Sequence, residues 1–362
     1  MIKKLPSVIK AIRRDLPPPA PFRATLQITD QCNLRCEYCL QHSFLKEPHR
    51  GRGHVPVARI FALIDELADM GTREVCLLGQ GEPSLHPKFP DIVRRIKAAG
   101  MRLIVYTNLS MPPSRAEAYA MADRLLVNLS GPDEQAYDLI HAPSGSKVYQ
   151  RVLYHLGVLK KKRAASSFPV VDISYIVTRR NYHLIARVFE IGRDNGIDLL
   201  QFTNPLLIPA TRKLALGVGE RKEFISNLMQ LTHRFPQVRT NARDVIMELL
   251  SEQRTATAFG RCFMGWLTLS VDVGGHVCLC SRNRRLDVGV WEPGTLRKLW
   301  EGPRAQRYRR LAQHALERKD LFGRECLYCS HADTNARLEA LLHPAHAGSV
   351  HHGKCEGGVH GA

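Results

Sequence analysis

The amino-acid sequence predicts an α/β fold with a parallel sheet at its centre. From Arg23 onward, short apolar runs alternate with longer amphipathic stretches, which is the pattern of strands joined by crossover helices. Gly71, Gly100 and Gly196 follow three of the amphipathic stretches, at positions where glycine commonly ends a helix. The chain has 362 residues, of which 44% are hydrophobic and 24% charged, enough for a globular core and two domains.

Six strand–helix units are predicted in chain order. The strands are Ala24–Thr29, Glu74–Leu78, Arg102–Thr107, Arg124–Leu129, Val170–Val177 and Asp198–Thr203. The helices are Val57–Met70, Phe89–Ala99, Ser114–Met121, Tyr149–Lys162 and Leu184–Asn195, followed by Arg221–Phe235, Asn241–Leu250 and Thr295–Ala312. Before the first strand, Ile2–Leu16 has the spacing of a short basic amphipathic helix, interrupted by Pro6 and followed by a proline-rich linker.

A cysteine-rich loop follows the first predicted strand. It reads Q-I-T-D-Q-C-N-L-R-C-E-Y-C-L and supplies Cys32, Cys36 and Cys39. Thiolates are the soft ligands that iron–sulfur clusters require, and three of them can hold three irons of a cubane while the fourth iron has no protein ligand. Close cysteine pairs are also common zinc ligands, so half of a zinc site is the alternative interpretation.

A second motif ends the second predicted strand. The run V-C-L-L-G-Q-G-E-P leads into Gly79, Gly81, Glu82 and Pro83, and small residues there allow the backbone to approach a ligand closely. An ordinary strand-to-helix turn is the alternative, because glycine and proline favour such turns.

Together, the cysteine array and the G-Q-G-E-P edge resemble the radical S-adenosylmethionine (radical SAM) enzymes. The resemblance implies that the three cysteines bind a [4Fe-4S] cluster whose open iron takes the amino and carboxylate groups of S-adenosylmethionine (AdoMet). It further implies that Tyr38 lies near the adenine, and that Gly79, Gly81, Glu82 and Pro83 contact the AdoMet amino group.

The six units resemble the partial (β/α)6 TIM-like barrel of this family, in which ligands bind at the carboxyl ends of the strands. At these ends the sequence places Asn108 after strand three, and Asn128 and Ser130 at strand four. By resemblance, Asn128 and Ser130 are expected to meet the AdoMet ribose; capping of the following turn is the alternative role. Family members often carry an arginine near the position of His141, which leaves the partner of the AdoMet carboxylate open.

The C-terminal part carries a second group of cysteines. Cys262 precedes a hairpin-like run, L-T-L-S-V-D-V-G-G-H-V-C-L-C, which contains Cys278 and Cys280, and Cys326 and Cys329 form a C-x2-C pair. The arrangement resembles the twitch or SPASM extension of radical SAM enzymes, whose G-x4-C run is matched by the segment ending at Cys280. The resemblance implies that Cys262, Cys280, Cys326 and Cys329 bind one auxiliary [4Fe-4S] cluster. A four-cysteine zinc site is the alternative.

Three cysteines remain outside these sets. Cys278 is the natural hydrogen-atom donor if the reaction is an epimerisation; an ordinary hairpin cysteine, or a ligand in place of Cys280, are the alternatives. Cys76 lies inside an apolar strand and is interpreted as a buried core thiol. Cys355 lies in a His/Gly-rich tail and is expected to have no catalytic role.

The predicted domain organisation has five parts. An N-terminal helix and linker (1–22) precede the barrel (23–215), bridging helices (216–260), a small α+β auxiliary-cluster domain (261–335) and a disordered tail (336–362). The chain lacks an apolar run long enough to span a membrane and a recognisable signal peptide, so a cytoplasmic location is predicted. Ten cysteines in such a chain indicate metal binding rather than disulfides.

The formal net charge of +18 indicates either an anionic partner or an arginine-rich solvated surface. Basic residues crowd Lys3–Arg14, Lys160–Arg163 and Arg282–Arg310. Nucleic acid and an acidic membrane surface are the candidate partners, but the basic segments lack interleaved aromatic residues, so the solvated surface is preferred.

The resemblance implies reductive cleavage of AdoMet to a 5′-deoxyadenosyl radical, which abstracts a hydrogen atom from the substrate, with flavodoxin or ferredoxin as electron donor. Oxidation or epimerisation of a neutral or anionic carbohydrate-like small molecule is the function predicted from the sequence. A radical SAM enzyme that modifies peptides or RNA is the first alternative. A non-enzymatic zinc-ribbon protein that binds nucleic acid is the second.

Overall fold

The computed structural model describes residues 6–47, 51–143, 145, 147–166, 169–206, 208–250, 261–315, 317, 318, 320–322, 326 and 331–342. A nine-stranded sheet lies at its centre. Its strands are β1 (Arg23–Leu26), β2 (Glu74–Leu77), β3 (Arg102–Thr107), β4 (Arg124–Asn128), β5 (Val170–Ile176), β6 (Leu199–Thr203), β7 (Thr268–Val271), β8 (His276–Cys278) and β9 (Asp287–Val290). Their order in the sheet is β6-β5-β4-β3-β2-β1-β7-β8-β9.

The α-helices connect and cover the strands. They are α1 (Pro6–Arg13), α2 (Val57–Met70), α3 (Phe89–Ala98), α4 (Ala116–Ala120), α5 (Glu134–His141), α6 (Val148–Ser166), α7 (Ile185–Asn195), α8 (Val218–Arg234), α9 (Ala242–Leu250), α10 (Met264–Leu267), α11 (Leu296–Glu301), α12 (Pro303–Ala312) and α13 (Ala332–Leu342). Gly71 and Gly196 end α2 and α7 in the left-handed conformation, as the sequence predicts.

The first six strands form a parallel, open barrel. Strand β4 shows the two faces of the sheet: Leu125 and Val127 are fully buried, whereas Leu126 and Asn128 are half-buried. Right-handed crossovers place the helices on one face, so the buried set packs against helices and the half-buried set lines the concave face. The end strands β6 and β9 do not pair with each other, which confirms the predicted α/β partial barrel.

The second cysteine region continues the same sheet. Strand β7 pairs with β1 in parallel, with Thr268 opposite Arg23 and Val271 opposite Leu26. Strand β8 then returns antiparallel to β7, and β9 returns antiparallel to β8. The segment predicted as a small separate α+β domain is therefore joined to the barrel by strand pairing as well as by sequence.

Several predicted boundaries differ from the observed ones for clear reasons. Helix α1 is described from Pro6 to Arg13, and the part of the predicted helix before Pro6 lies outside the described residues. The helix predicted at Thr295–Ala312 is two helices, since Pro303 starts a new one. Helix α5 was not predicted; Asp133 caps it by accepting a hydrogen bond from the backbone N–H of Ala136 at 2.8 Å.

The C-terminal boundary also differs. Helix α13 runs from Ala332 to Leu342, with Leu338 fully buried, so the tail predicted to begin at residue 336 starts inside a helix. Cys329 and Cys355 lie outside the described residues. Among the described residues, none of the helices combines the length and apolar character needed to cross a membrane.

Candidate active site

The loop that carries the first three cysteines is fixed to helix α5. The backbone N–H groups of Arg35 and Glu37 donate to the carbonyl oxygens of His141 and Ile140, each at 2.9 Å. Carbonyl groups at a helix C-terminus have no partner within the helix, so this end of α5 is a ready acceptor for a loop. The loop is thereby held at the carboxyl end of β4 as well as that of β1.

Each of the three cysteine sulfurs lies near an N–H donor. Cys39 Sγ accepts from the backbone N–H of Gln41 at 3.4 Å and of His42 at 3.2 Å. Cys36 Sγ lies 3.1 Å from His141 Nδ1. The backbone N–H groups of residues 33 and 34 lower the pKa of Cys32. Donors directed at sulfur are typical of thiolates that hold iron–sulfur clusters.

The electrostatics of the loop favour a cationic occupant. Burial is the main cause that raises the pKa of Cys32 to about 12, and the charges of Glu82 and Cys39 add to it. Burial also raises the pKa of Cys36 well above its usual value, with further repulsion from Cys32 and Cys39. The raised pKa values of Cys32 and Cys36 disfavour two neighbouring thiolates unless bound iron compensates their charge. The donor set therefore fits a cluster.

A single zinc ion is the alternative occupant of the three cysteines, and it would arrange their sulfurs differently from a cubane. A single zinc ion holds its sulfur ligands at about 2.3 Å and so brings them close together, whereas a cubane binds each thiolate at a different corner.

The G-Q-G-E-P edge packs directly against the cysteine loop. The backbone N–H of Glu82 donates to the carbonyl oxygen of Gln31 at 2.8 Å. A Cβ on Gly81 would overlap the Gln31 carbonyl, and a Cβ on Gly79 would overlap the Gln27 side chain. Gly81 is thus required for this contact, independently of any ligand.

Glu82 is a fully engaged carboxylate behind the loop. Its Oε1 accepts from the Ser84 hydroxyl at 2.5 Å and the Thr107 hydroxyl at 2.8 Å, and its Oε2 accepts from the backbone N–H of Asn108 at 2.7 Å. Burial raises its pKa, and these hydrogen bonds act in the opposite direction. Pro83 begins the short 3₁₀ turn after it. The contact of these residues with AdoMet stays a prediction.

Asn108 extends this network to the cysteine loop. Its Nδ2 donates to Asn33 Oδ1 at 3.0 Å, and its Oδ1 accepts from the Ser110 hydroxyl at 2.6 Å. Asn33 Nδ2 in turn donates to the Ser110 hydroxyl at 2.8 Å. Because all three side chains are mutually bonded, Asn108 positions the loop between Cys32 and Cys36.

Tyr38, Asn128 and Ser130 form one hydrogen-bonded group at the end of β4. Tyr38 Oη lies 2.6 Å from Asn128 Oδ1 and 3.0 Å from Ser130 Oγ. Ser130 is fully buried and its hydroxyl also accepts from the backbone N–H of Ile176 at 3.0 Å. Asn128 is half-buried. The adenine and ribose roles of these residues stay predictions.

His141 was not assigned a role from sequence, and the structure places it inside the site. It is fully buried, and burial lowers its pKa to about 3. Besides its contact with Cys36, its Nε2 accepts from the backbone N–H of Ser130 at 3.2 Å. A neutral, enclosed imidazole does not replace the arginine of other family members as a charged partner for a carboxylate.

The auxiliary cysteines lie at the opposite edge of the sheet. Cys262 precedes β7, and Cys280, two residues after Cys278, is level with Thr268 and hence with Arg23 at the amino end of β1, whereas Cys32 follows the carboxyl end of β1. His331 is half-buried, and burial, followed by the charge of Arg23, lowers its pKa to about 4. Along the strand direction, the length of β1, roughly 10–13 Å, therefore lies between Cys32 and the pair Cys262 and Cys280.

Asparagine side chains contact two auxiliary sulfurs, a feature that sequence reasoning missed. Asn335 Nδ2 lies 3.9 Å from Cys262 Sγ while its Oδ1 accepts from the backbone N–H of Phe263 at 2.9 Å. Asn283 Nδ2 lies 3.6 Å from Cys326 Sγ. The fourth predicted ligand, Cys329, lies outside the described residues. Neither asparagine belongs to a recognisable motif, so only the folded structure relates them to cysteines.

Cys278 lies on the concave face. It pairs with Ser270, which shares its register position with Thr25 of β1, and paired residues point to the same face of a sheet. Its sulfur lies 4.0 Å from the carbonyl oxygen of Arg284. Burial, followed by the Asp287 and Asp272 carboxylates, raises its pKa to about 12. A pKa raised in this way favours the protonated form of the Cys278 thiol.

Comparisons with known proteins agree with this geometry. A family described as "Radical SAM superfamily" matches residues 26–191, and the SPASM family, described as "Iron-sulfur cluster-binding domain", matches residues 262–330. The chain thus contains both domains, in the order that the two cysteine sets predict. The matches identify a radical SAM domain followed by a SPASM-type iron–sulfur domain.

Individual relatives are more distant. An AdoMet-dependent heme synthase of Methanosarcina barkeri is 29% identical over 180 residues, covering 49% of this chain and 48% of that protein. The mycofactocin maturase MftC of Mycobacterium tuberculosis is 30% identical over 184 residues, covering 50% and 44%. The alignments span about half the length of these curated relatives.

A solved structure supports the fold along most of the chain. SuiB of Streptococcus suis bound to S-adenosylmethionine superimposes with a TM-score of 0.62 at 15% identity, covering 84% of this chain and 71% of SuiB. SuiB has also been solved bound to precursor peptide SuiA. The family assignment removes the zinc-ribbon protein from the candidate functions and makes AdoMet and iron–sulfur clusters the expected cofactors.

Proposed function

We propose that this protein cleaves AdoMet and abstracts a hydrogen atom from a substrate held on the concave face of the sheet, between two iron–sulfur centres. Cys32, Cys36 and Cys39 would hold the first cluster, which would supply the electron for cleavage of AdoMet to methionine and the 5′-deoxyadenosyl radical. The single observation that carries the proposal is the register of β1, β7 and β8, which puts the two cysteine sets at opposite edges of one sheet.

The concave face between the two centres suits a polar substrate. Half-buried hydroxyl and amide groups project from successive strands, among them Ser174 on β5 and Gln201 and Thr203 on β6. Their partly exposed state contrasts with the closed, apolar face beneath the helices. The radical would reach a substrate carbon on this face from the carboxyl ends of the strands. The auxiliary centre would reach it from their amino ends.

The auxiliary centre gives the substrate radical a route to product. Loss of one electron to that centre and one proton to water completes a two-electron oxidation of the substrate. Epimerisation is the alternative outcome: the S–H hydrogen atom of Cys278 moves to the substrate carbon, and the sulfur radical regains one electron and one proton from the external reductant. The protonated state of Cys278 and its place on the concave face support this second route.

For the substrate we favour a peptide. The alignment partner MftC is named a maturase, and the open sheet, with β6 and β9 unpaired to each other, leaves room for an extended chain to enter from the side. The carbohydrate-like small molecule predicted from sequence is the second candidate, and the hydroxyl and amide groups of the concave face favour it. The external electron donor, flavodoxin or ferredoxin, also remains a prediction.

The test measures 5′-deoxyadenosine in anaerobically reconstituted protein given AdoMet, a reductant and candidate substrates. We expect deuterium from a labelled peptide substrate to appear in 5′-deoxyadenosine, and Cys36→Ala to abolish its formation. Cys76→Ala is the comparison for loss of a thiol outside both cysteine sets: Cys76 pairs with Thr25 and so lies on the concave face, and AdoMet cleavage should persist without it. If Cys36→Ala still cleaves AdoMet, the proposal is wrong; label transfer only from a polyol would replace the peptide with the second candidate.

A further inference from the structure

We propose that His141 is a positioning residue that holds a hydrogen bond on Cys36 Sγ and thereby raises the reduction potential of the first cluster. The inference rests on the first cluster of the proposed function. The observation that carries it is an enclosed imidazole placed between a cluster cysteine and the end of β4.

The hydrogen-bond partners assign the tautomer of the ring. Ser130 N–H can only donate, so His141 Nε2, at 3.2 Å, must accept and carries no hydrogen. The ring hydrogen is then on Nδ1, which faces Cys36 Sγ at 3.1 Å. A donor fixed in this way needs no rearrangement when the sulfur becomes a thiolate.

Aromatic packing fixes the orientation of the ring. Tyr137 stacks on His141 with ring centroids 4.3 Å apart, and Tyr38 meets its edge with centroids 6.1 Å apart. Tyr137 itself is seated against Gly131, where a Cβ would overlap the Tyr137 backbone. The imidazole is fully buried, so water does not compete for its N–H.

A donor on a cysteine sulfur acts on the redox equilibrium because the reduced cluster carries one more negative charge than the oxidised cluster. The N–H bond stabilises the reduced state more strongly, which raises the potential. Ser130 in turn contacts Tyr38 through its hydroxyl, and Tyr38 also contacts Asn128. The same imidazole thus connects a cluster ligand to the strand end where AdoMet is predicted to bind.

Two substitutions separate the two hydrogen bonds of the ring. In His141→Asn the amide nitrogen is as many bonds from Cα as Nδ1, so it can keep the donor to Cys36. In His141→Gln the amide oxygen is as many bonds from Cα as Nε2, so it can accept from Ser130 N–H while the donor to Cys36 is lost. His155→Gln is the matched control: His155 is also fully buried and bonded to a backbone carbonyl, that of Met111 at 2.7 Å.

The experiment is an EPR-monitored redox titration of the full-length reconstituted chain, in which the signal that changes on AdoMet addition identifies the first cluster. For His141→Gln with normal iron and sulfide, we expect the reduced-to-oxidised ratio at a given potential to fall roughly tenfold, about 59 mV for a one-electron couple. His141→Asn should stay within about twofold of the unchanged protein, and His155→Gln should not shift. The His141→Gln variant should also lose one coupling between the reduced first cluster and an exchangeable proton, the proton on His141 Nδ1.

An unchanged potential in His141→Gln, or an equal shift in His155→Gln, overturns the inference. If His141→Gln does not retain the cluster, the result for His141→Asn decides. A full cluster at the original potential in His141→Asn supports a hydrogen bond from residue 141 to Cys36. Loss of the cluster in that variant too shows that the ring only packs the loop. Absence of any AdoMet-responsive cluster in the unchanged protein would instead refute the proposed function, independently of His141.

Discussion

The two cysteine regions of this protein are built in different ways. Cys32, Cys36 and Cys39 lie within eight residues of one loop, and donors from neighbouring backbone or from α5 reach their sulfurs. The auxiliary set is assembled from segments that begin at Cys262 and end beyond Cys326, and its observed donors are two asparagine side chains at longer distances. The ligands of the first centre come from one loop with hydrogen-bond donors close to their sulfurs. The ligands of the second centre meet only when distant segments of the chain have folded together.

The largest expected contrast comes from removing one ligand of each set. Cys36→Ala should leave roughly four of eight irons, those of one cubane of two, and no 5′-deoxyadenosine. Cys280→Ala should lose a similar amount of iron while 5′-deoxyadenosine still forms and modified product does not. Iron analysis with product quantification checks both variants. AdoMet cleavage that depends on Cys280 as strongly as on Cys36 would contradict the assigned division of roles.

The glycine edge next to the first centre gives the second contrast. Gly81→Ala should destabilise the fold by about 2–3 kcal/mol, because its Cβ would overlap the backbone of Gln31. Gly79→Ala should cost less, about 1 kcal/mol, since its Cβ meets a flexible glutamine side chain. Thermal unfolding of the two variants gives the comparison. Equal losses would show that the backbone contact does not decide the effect.

A third prediction concerns the auxiliary donors. Asn335→Ala removes the contact to Cys262 and leaves the buried Phe263 N–H without its acceptor, at a cost of about 1–3 kcal/mol. We expect faster loss of auxiliary iron to a chelator, with the first cluster retained. Asn195→Ala, which removes a side-chain bond to a helix-end carbonyl of α7, is the control. Loss of both clusters at one rate would argue against separate centres.

The smallest effect tests the scaffold that the two regions share. Burial lowers the pKa of His155 below its usual value of 6.5, so the folded chain binds this proton less readily than the unfolded chain. The stability contributed by this group is complete above that value and declines as the pH falls through it toward the lower folded pKa. The melting temperature should therefore fall as the pH is lowered from about 7 to about 5, and less steeply in His155→Gln. Parallel pH profiles for the two proteins would refute the role of His155.

Much of the fold could be predicted because its signals are local. The alternation of strands and helices gave the barrel and many of its boundaries to within a residue or two; helix α2, for example, is predicted and observed at Val57–Met70. The pairing of β7 with β1 could not be predicted from the sequence. About 240 residues separate the two strands, and the apolar pattern of a strand does not identify the strand with which it pairs. Only this pairing reveals that the auxiliary set lies at the opposite edge.

The candidate site shows the same limit. The cysteine spacing and the G-Q-G-E-P run identify the first centre because their chemistry depends on adjacent residues. His141 was noticed only as a departure from an expected arginine, since its contact with Cys36 spans 105 residues and depends on α5, a helix of eight residues that begins at a turn-like sequence. The capping aspartate, Asp133, was the one local signal that could have predicted this helix.

The separation of the two clusters is the most direct test of the central claim that they occupy opposite edges of one sheet. Pulsed dipolar EPR on the fully reconstituted, reduced protein measures this distance, and Cys36→Ala and Cys280→Ala assign the two signals. We expect a separation of at least about 10–13 Å, the length of a four-residue strand. A distance below about 10 Å, shorter than such a strand, or a single paramagnetic centre in the unchanged protein, would contradict it.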